Sequence, residues 1–375
     1  MRSLPVALLL LVACGACGKD EGRPAPPPPR PADAAPPPRP KAYVYDAERC
    51  GDCHDRMFEE WRGSAHARAA SSPIYVAMRA AAAAPDGCPV CHEPLAAPAP
   101  GTVAAREGVT CDVCHTIEKV AVEDGRAAVS LAVGQPVRRG PFCELDDHYF
   151  HRMGCSPLHE TSELCAGCHH LTAPLPIYTS YQEWRVSRYA REGVQCQDCH
   201  MPAARAPIAE GAAERDGIGH HGMMGTGALR GGALALALTA ARDGAHVRVT
   251  AVVTNRGAGH HLPTDMPDRR LVLRITMLDA SGREVARAEE LFGRVMRDAS
   301  GAPAPYVRAA AAGEDTRIAA GGSATRTFRL DAPPRGTARA ELFRRPLDHD
   351  VARAIGVAPP PDELIVRAEQ RLRSP

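Results

Sequence analysis

Glu107-Gly-Val109-Thr-Cys111-Asp-Val-Cys114-His115 is the stretch on which the reading turns, because its last five residues recur. The same Cys-x-x-Cys-His pentapeptide stands at Cys50–His54, Cys88–His92, Cys165–His169 and Cys196–His200. From the chain's own Cys and His frequencies chance supplies about 0.02 such matches. Two thiols three positions apart can each add to one vinyl group of a single haem, and the adjoining histidine then lies under the iron. The pattern predicts five haems c, attached through Cys50, Cys53, Cys88, Cys91, Cys111, Cys114, Cys165, Cys168, Cys196 and Cys199. His54, His92, His115, His169 and His200 are their proximal ligands. Zinc also uses paired Cys-x-x-Cys sites but requires no histidine after each, and an oxidising compartment disfavours reduced thiol clusters. Disulfides leave the five histidines unexplained.

The rest of the composition agrees. Of 375 residues only 4% are aromatic, against 35 Pro and 33 Gly, so side chains alone would build a thin core. Five flat porphyrins supply the apolar bulk that Phe and Trp normally provide. From Cys50 to His200 the chain allots about thirty residues to each site, so the haems must lie close together. The formal charge is +1, which excludes a polybasic nucleic-acid binder, and the propionates of five haems would add about ten negative charges.

The N-terminus reads as an export signal over residues 1–13, with Arg2 before the apolar run Leu4 to Val12, too short to span a bilayer. Leu11-Val12-Ala13-Cys14 resembles a bacterial lipobox, which makes Cys14 the expected lipidated residue; an ordinary cleaved signal is the alternative. Residues 14–42 form a Pro-rich tether, with uninterrupted runs at Pro26 to Pro29 and Pro36 to Pro38. Cys17 is expected to be either an idle leftover of the leader region or an unpaired thiol close to the lipid. Cys143 and Cys155, outside every pentapeptide, are a candidate disulfide for an exported chain.

A second axial ligand decides between electron carriage and chemistry at an open iron. Eleven histidines remain beyond the proximal five. His66 follows a predicted helix Arg56 to Arg62 and is a candidate distal ligand, as are His221, in His220-His221-Gly-Met-Met224, and His260, in Gly259-His260-His261-Leu-Pro-Thr264. His159 precedes the fourth site and is a further candidate, as is the cluster His148 to His151. His246 reads as a solvent-facing strand residue and His349 as a surface one. Met223 and Met224 are read as core residues, with sulfur ligation as the alternative.

Cys50-Gly-Asp-Cys53-His54 followed by Phe58-Glu-Glu-Trp61 and Ser64-Ala-His66-Ala, then a second site, then Glu107-Gly-Val109-Thr-Cys111-Asp-Val-Cys114-His115 and Cys165-Ala-Gly-Cys168-His169, resembles the tetrahaem cytochrome c-554 family over about residues 45 to 200. The resemblance implies helices and loops wrapped on stacked haem pairs, electron shuttling in the periplasm, and one haem that can keep an open face. It also implies distal roles for His66, His221 and His260. The chain departs from the family in its fifth site, Tyr181-Gln-Glu-Trp184 to Cys196-Gln-Asp-Cys199-His200-Met-Pro202. Residue 265 is Asp where Gly is expected.

Past residue 228 the cysteines stop and the pattern alternates. Leu234, Leu236 and Leu238 share a face, as do Val247, Val249, Ala251 and Val253, and Leu271, Leu273, Ile275 and Met277. Asp279-Ala-Ser-Gly282 is a turn, and further strands are expected near Ala324 to Leu330 and Ala338 to Phe343. The fold expected is a mainly α and irregular multihaem domain over 43–228, a small antiparallel β-sandwich over 229–350, and a C-terminal tail over 351–375. The loop at His260 is expected to dip towards the haem body.

These readings describe a lipid-tethered pentahaem electron carrier of the bacterial cell envelope, on the periplasmic side or the outer membrane. Its partners would be redox proteins or quinol-linked oxidoreductases, and no nucleic acid. The alternative is an oxidoreductase acting on a small nitrogen or sulfur compound at one five-coordinate haem. No Ser-His-Asp arrangement, Walker loop or dinucleotide fingerprint occurs.

Overall fold

The structure, a computed structural model, describes residues 43–223, 232–331, 333 and 335–372. The export signal 1–13, the whole tether 14–42 with Cys14 and Cys17, and Met224 lie outside the described residues. Among the described residues no helix is long and apolar enough to cross a membrane. Residues Pro40–Pro375 cluster as one compact unit.

The N-terminal half is built from short helices, the longest being the nine-residue Pro73–Ala81. Each pentapeptide lies on or beside one: Ala47–Gly51, Pro89–His92, Cys111–Thr116, Glu163–His169 and Cys196–His200. One helical turn is what places a Cys-x-x-Cys pair on one side of the backbone. The helix expected at Arg56 to Arg62 spans Asp55–Arg62. Between these turns run three two-stranded ribbons, at Ile117–Glu123 with Arg126–Leu131, Val137–Gly140 with Arg152–Cys155, and Ala203–Pro207 with Glu214–Gly219. Cys143 and Cys155 are joined by a disulfide. The protein's own core here is thin, a small cluster of Leu95, Ala99, Ala104, Val109 and Val113.

The C-terminal half is antiparallel β-structure. One sheet orders its strands Glu284–Phe292, Arg270–Asp279, Gly336–Arg345, Glu363–Arg371; the other orders Ser323–Asp331, His246–Asn255, Leu234–Asp243. The alternating residues of the His246 strand, Val247, Val249, Ala251 and Val253, share one apolar cluster with Leu271, Leu273, Ile275 and Met277 of the other sheet, so the two sheets face each other across it. The segment 351–375, read as a tail, instead carries the end of the helix His349–Ala354 and the strand Glu363–Arg371, which pairs with Gly336–Arg345. His246 opens its strand beside Asp331, the last residue of the neighbouring strand, 3.1 Å away.

Contacts of three kinds are among those that bind the halves. Met78 joins an apolar cluster with Leu347, Val351 and Ala352. Arg317 makes a buried ion pair with Glu183 at 2.7 Å. The loop that follows the His246 strand brings His260 and Asp265 against the fourth and fifth pentapeptides.

Candidate haem sites

The ten motif cysteines are all half-buried and free of disulfides, the condition in which a thiol can reach a vinyl group. Thiols of different motifs lie side by side: Cys50 with Cys111, Cys91 with Cys168, and Cys165 with Cys196. The first motif therefore abuts the third, the second abuts the fourth, and the fourth abuts the fifth. Among the described residues no group of three or more His, Cys, Asp and Glu converges as a metal cage.

Four of the motif histidines are held by their outer nitrogen. Nδ1 of His54 faces the Ile208 carbonyl at 2.7 Å, that of His92 the Ala69 carbonyl at 3.1 Å, and that of His115 the Arg139 carbonyl. At His169 the partner is a carboxylate, Asp265, at 3.3 Å. Each of these four rings is thus fixed with Nε2 left for a metal, the usual arrangement around a ligating imidazole.

Four of the five rings look at a second imidazole. Ring centroids lie 6.2 Å apart for His54 and His151, and 6.3 Å apart for His66 and His169, His115 and His221, and His200 and His260. A metal–nitrogen bond of about 2 Å on each side, plus about 1.1 Å from each nitrogen to its ring centre, places two trans imidazoles about 6.2 Å apart. The donor set and its spacing fit haem iron. Nδ1 of His66 is buried with no hydrogen-bond partner, a polar atom left unfinished by the protein alone. Burial holds His66, His151 and His221 down to about 4, as the neutral imidazoles that bind metal. At His169 burial acts the same way and is the largest single influence, but the Asp265 hydrogen bond, the Asp265 charge and nearby thiols together outweigh it and the net shift is upward.

His159 is placed differently. Its ring lies 5.5 Å from that of His115, closer than the four pairs, and its Nε2 is 3.2 Å from the Cys114 carbonyl. His115 already faces His221. The residue opposite His54 is His151, from the cluster His148 to His151, and it lies inside the loop closed by the Cys143–Cys155 disulfide. The second motif has another neighbour: the Tyr75 ring stacks on His92 at 4.2 Å and 11°. Among the described residues no imidazole faces His92 as the other four motif histidines are faced.

A framework absent from the candidate ligands positions them. Trp61 Nε1 donates to the Val109 carbonyl at 2.7 Å, and the Val109 N–H donates to the His66 carbonyl at 3.1 Å. Gly108 lies between with φ +85°, and a Cβ there would meet the His66 carbonyl at 2.7 Å, so only glycine fits. Glu60 accepts the His221 N–H at 2.7 Å. The arrangement repeats at the fifth motif: Trp184 Nε1 donates to the Val194 carbonyl at 2.9 Å, Gly193 has φ +78°, and Glu183 accepts the His261 N–H at 2.9 Å. The signal was present in the sequence as Glu-Trp paired with a later Glu-Gly-Val-x-Cys at both sites. Asp112, inside the third pentapeptide, makes a buried ion pair with Arg138 at 2.7 Å and accepts the Tyr45 N–H at 2.8 Å.

A family model described as cytochrome c554 and c-prime matches residues 49–116. The crystal structure of a penta-heme cytochrome c552 from Thermochromatium tepidum matches with a TM-score of 0.71, at 24% identity, over 88% of this chain and 99% of that one. The chain shares that fold. The match runs through both halves, so the β-structure belongs to the common architecture. A superoxide reductase in the oxidised state, at 14% identity over 37% of this chain and 86% of that one, reaches a TM-score of 0.19. A β-glucuronidase from glycoside hydrolase family 2, at 10% identity over 37% and 11%, also reaches 0.19. No curated protein sequence matches the chain significantly.

Proposed function

We propose that the chain is a pentahaem c-type cytochrome that carries electrons between redox partners outside the cytoplasm, held at the cell envelope by a lipid on Cys14 and backed by a C-terminal β-sandwich. The observation that carries this reading is the set of four imidazole pairs at 6.2 to 6.3 Å, each joining a pentapeptide histidine to one from elsewhere in the chain. Bound haem supplies a one-electron iron couple. The chain's part would be to fix the paired imidazoles that would hold the iron, through the Trp61–Val109–His66 relay and the Glu60 and Glu183 carboxylates, so that little rearranges when charge arrives. Adjacent thiols bring the first site beside the third, and the second and fifth sites beside the fourth, within tunnelling reach inside each of these groups. Redox proteins or quinol-linked oxidoreductases are the partners that fit a chain of this kind; the tether and the compartment rest on the sequence of residues 1–42.

One observation favours a second reading at a single site. Among the described residues no imidazole faces His92, whose ring is flanked by the stacked Tyr75 ring, so the second motif is where a small nitrogen or sulfur compound would meet a five-coordinate iron. Purified protein from a host competent in cytochrome maturation tests both. Five haems per chain, with four low-spin irons and one that takes up nitric oxide or hydroxylamine, is the result expected of the pairing described here. Turnover of such a compound would make the chain an oxidoreductase, five closed irons would make it a carrier alone, and colourless or zinc-loaded protein would overturn both readings.

A further inference from the structure

We infer that Asp265 is a positioning residue for the fourth motif, which holds His169 by its outer nitrogen and lowers the midpoint potential of the iron bound there relative to a site held by a neutral acceptor. This rests on the haem reading proposed above. His54, His92 and His115 present Nδ1 to backbone carbonyls, whereas His169 presents it to the Asp265 carboxylate at 3.3 Å. A charged acceptor makes the imidazole a stronger donor to the metal and favours the oxidised iron.

The carboxylate is fixed for this task. Its other oxygen receives Arg269 at 2.7 Å, and Ser180 Oγ donates to the oxygen that faces His169, at 3.3 Å. The backbone at residue 265 has φ +63°, a conformation in which glycine is the default and a side chain costs energy. An aspartate kept in that conformation, aimed at a motif histidine from the opposite half of the chain, is an outlier that points to a role. The site it adjusts is central. Cys168 meets Cys91 of the second motif and Cys165 meets Cys196 of the fifth, so the fourth motif lies between the second motif, where His92 faces a tyrosine, and the fifth, which His260 faces.

The test is a spectroelectrochemical titration of the full haem-loaded chain with Asp265→Gly, which relieves the backbone, and Asp265→Asn, which keeps the side chain's shape. In both variants one of the five midpoints is expected to rise well beyond any change in the other four, with the electron paramagnetic resonance signal of one low-spin haem altered and five haems retained. Five unmoved midpoints, or five that move together, overturn the inference. Wild-type protein that fails to carry five haems overturns the underlying reading instead, and a haem count separates the two failures.

Discussion

The indole N–H of Trp61 donates to the carbonyl of Val109 at 2.7 Å, and this one bond ties the helix before His66 to the turn that opens the third pentapeptide. Because both groups are buried, replacing Trp61 by Phe leaves the Val109 carbonyl without a donor, a loss of about 1–3 kcal/mol. Chemical denaturation of the haem-loaded Trp61→Phe variant should report that loss. Trp184→Phe, which removes the matching bond to Val194 at 2.9 Å, should act in the same direction.

The four imidazole pairs predict a spin count. His66→Ala, His151→Ala, His221→Ala and His260→Ala should each convert one low-spin haem to high-spin, read by electron paramagnetic resonance and near-infrared circular dichroism. His159→Ala should leave the count unchanged, since its Nε2 already faces the Cys114 carbonyl. A spectrum that does not respond to a given substitution removes that histidine from the ligand set.

How much of this was legible in the sequence follows from the range of each signal. The pentapeptides are local and covalent, so five positions specify the chemistry wherever the chain goes. Strands of alternating Val and Leu were legible because one face is buried, while Glu284–Phe292 and Glu363–Arg371 were missed. They are the two edge strands of their sheet and alternate with charged residues such as Glu289 and Arg367, a composition that protects edges and hides them from an apolar pattern. The histidines opposite the motif rings were only partly legible, because pairing them depends on loops that close over sequence distances from 60 residues for His200 and His260 to 106 for His115 and His221. His151 stood out least, since its position depends on a ribbon and a disulfide.

That disulfide sets up a prediction of its own. Cys143 and Cys155 close a short loop that contains His151, and a cross-link of this span contributes about 2–4 kcal/mol. The double variant Cys143→Ser with Cys155→Ser should lower the denaturation midpoint and loosen the hold on the first haem. The low-spin signal lost on mild warming should be the one that His151→Ala removes; loss of a different signal would disconnect the loop from His54.

Acid sensitivity should arise at the junction of the halves. Asp315 is partly withdrawn from water, which favours its neutral form, but hydrogen bonds and charge from Arg317 and then Arg294 outweigh this and hold the carboxyl down to about 2. Arg317 in turn pairs with buried Glu183, whose other oxygen receives the His261 N–H. In the unfolded chain an aspartate titrates near pH 3.9. As the pH falls the unfolded chain therefore takes up this proton first, so the stabilisation from Asp315 is complete above about pH 4 and disappears on approach to pH 2. Urea midpoints measured between pH 7 and pH 2 should fall less steeply for Asp315→Asn than for the wild type over the acid part of that range, with the variant the less stable of the two at neutral pH. Parallel curves would mean that Asp315 takes no part in the acid response, and would leave the Arg317–Glu183 pair to hold the junction without it.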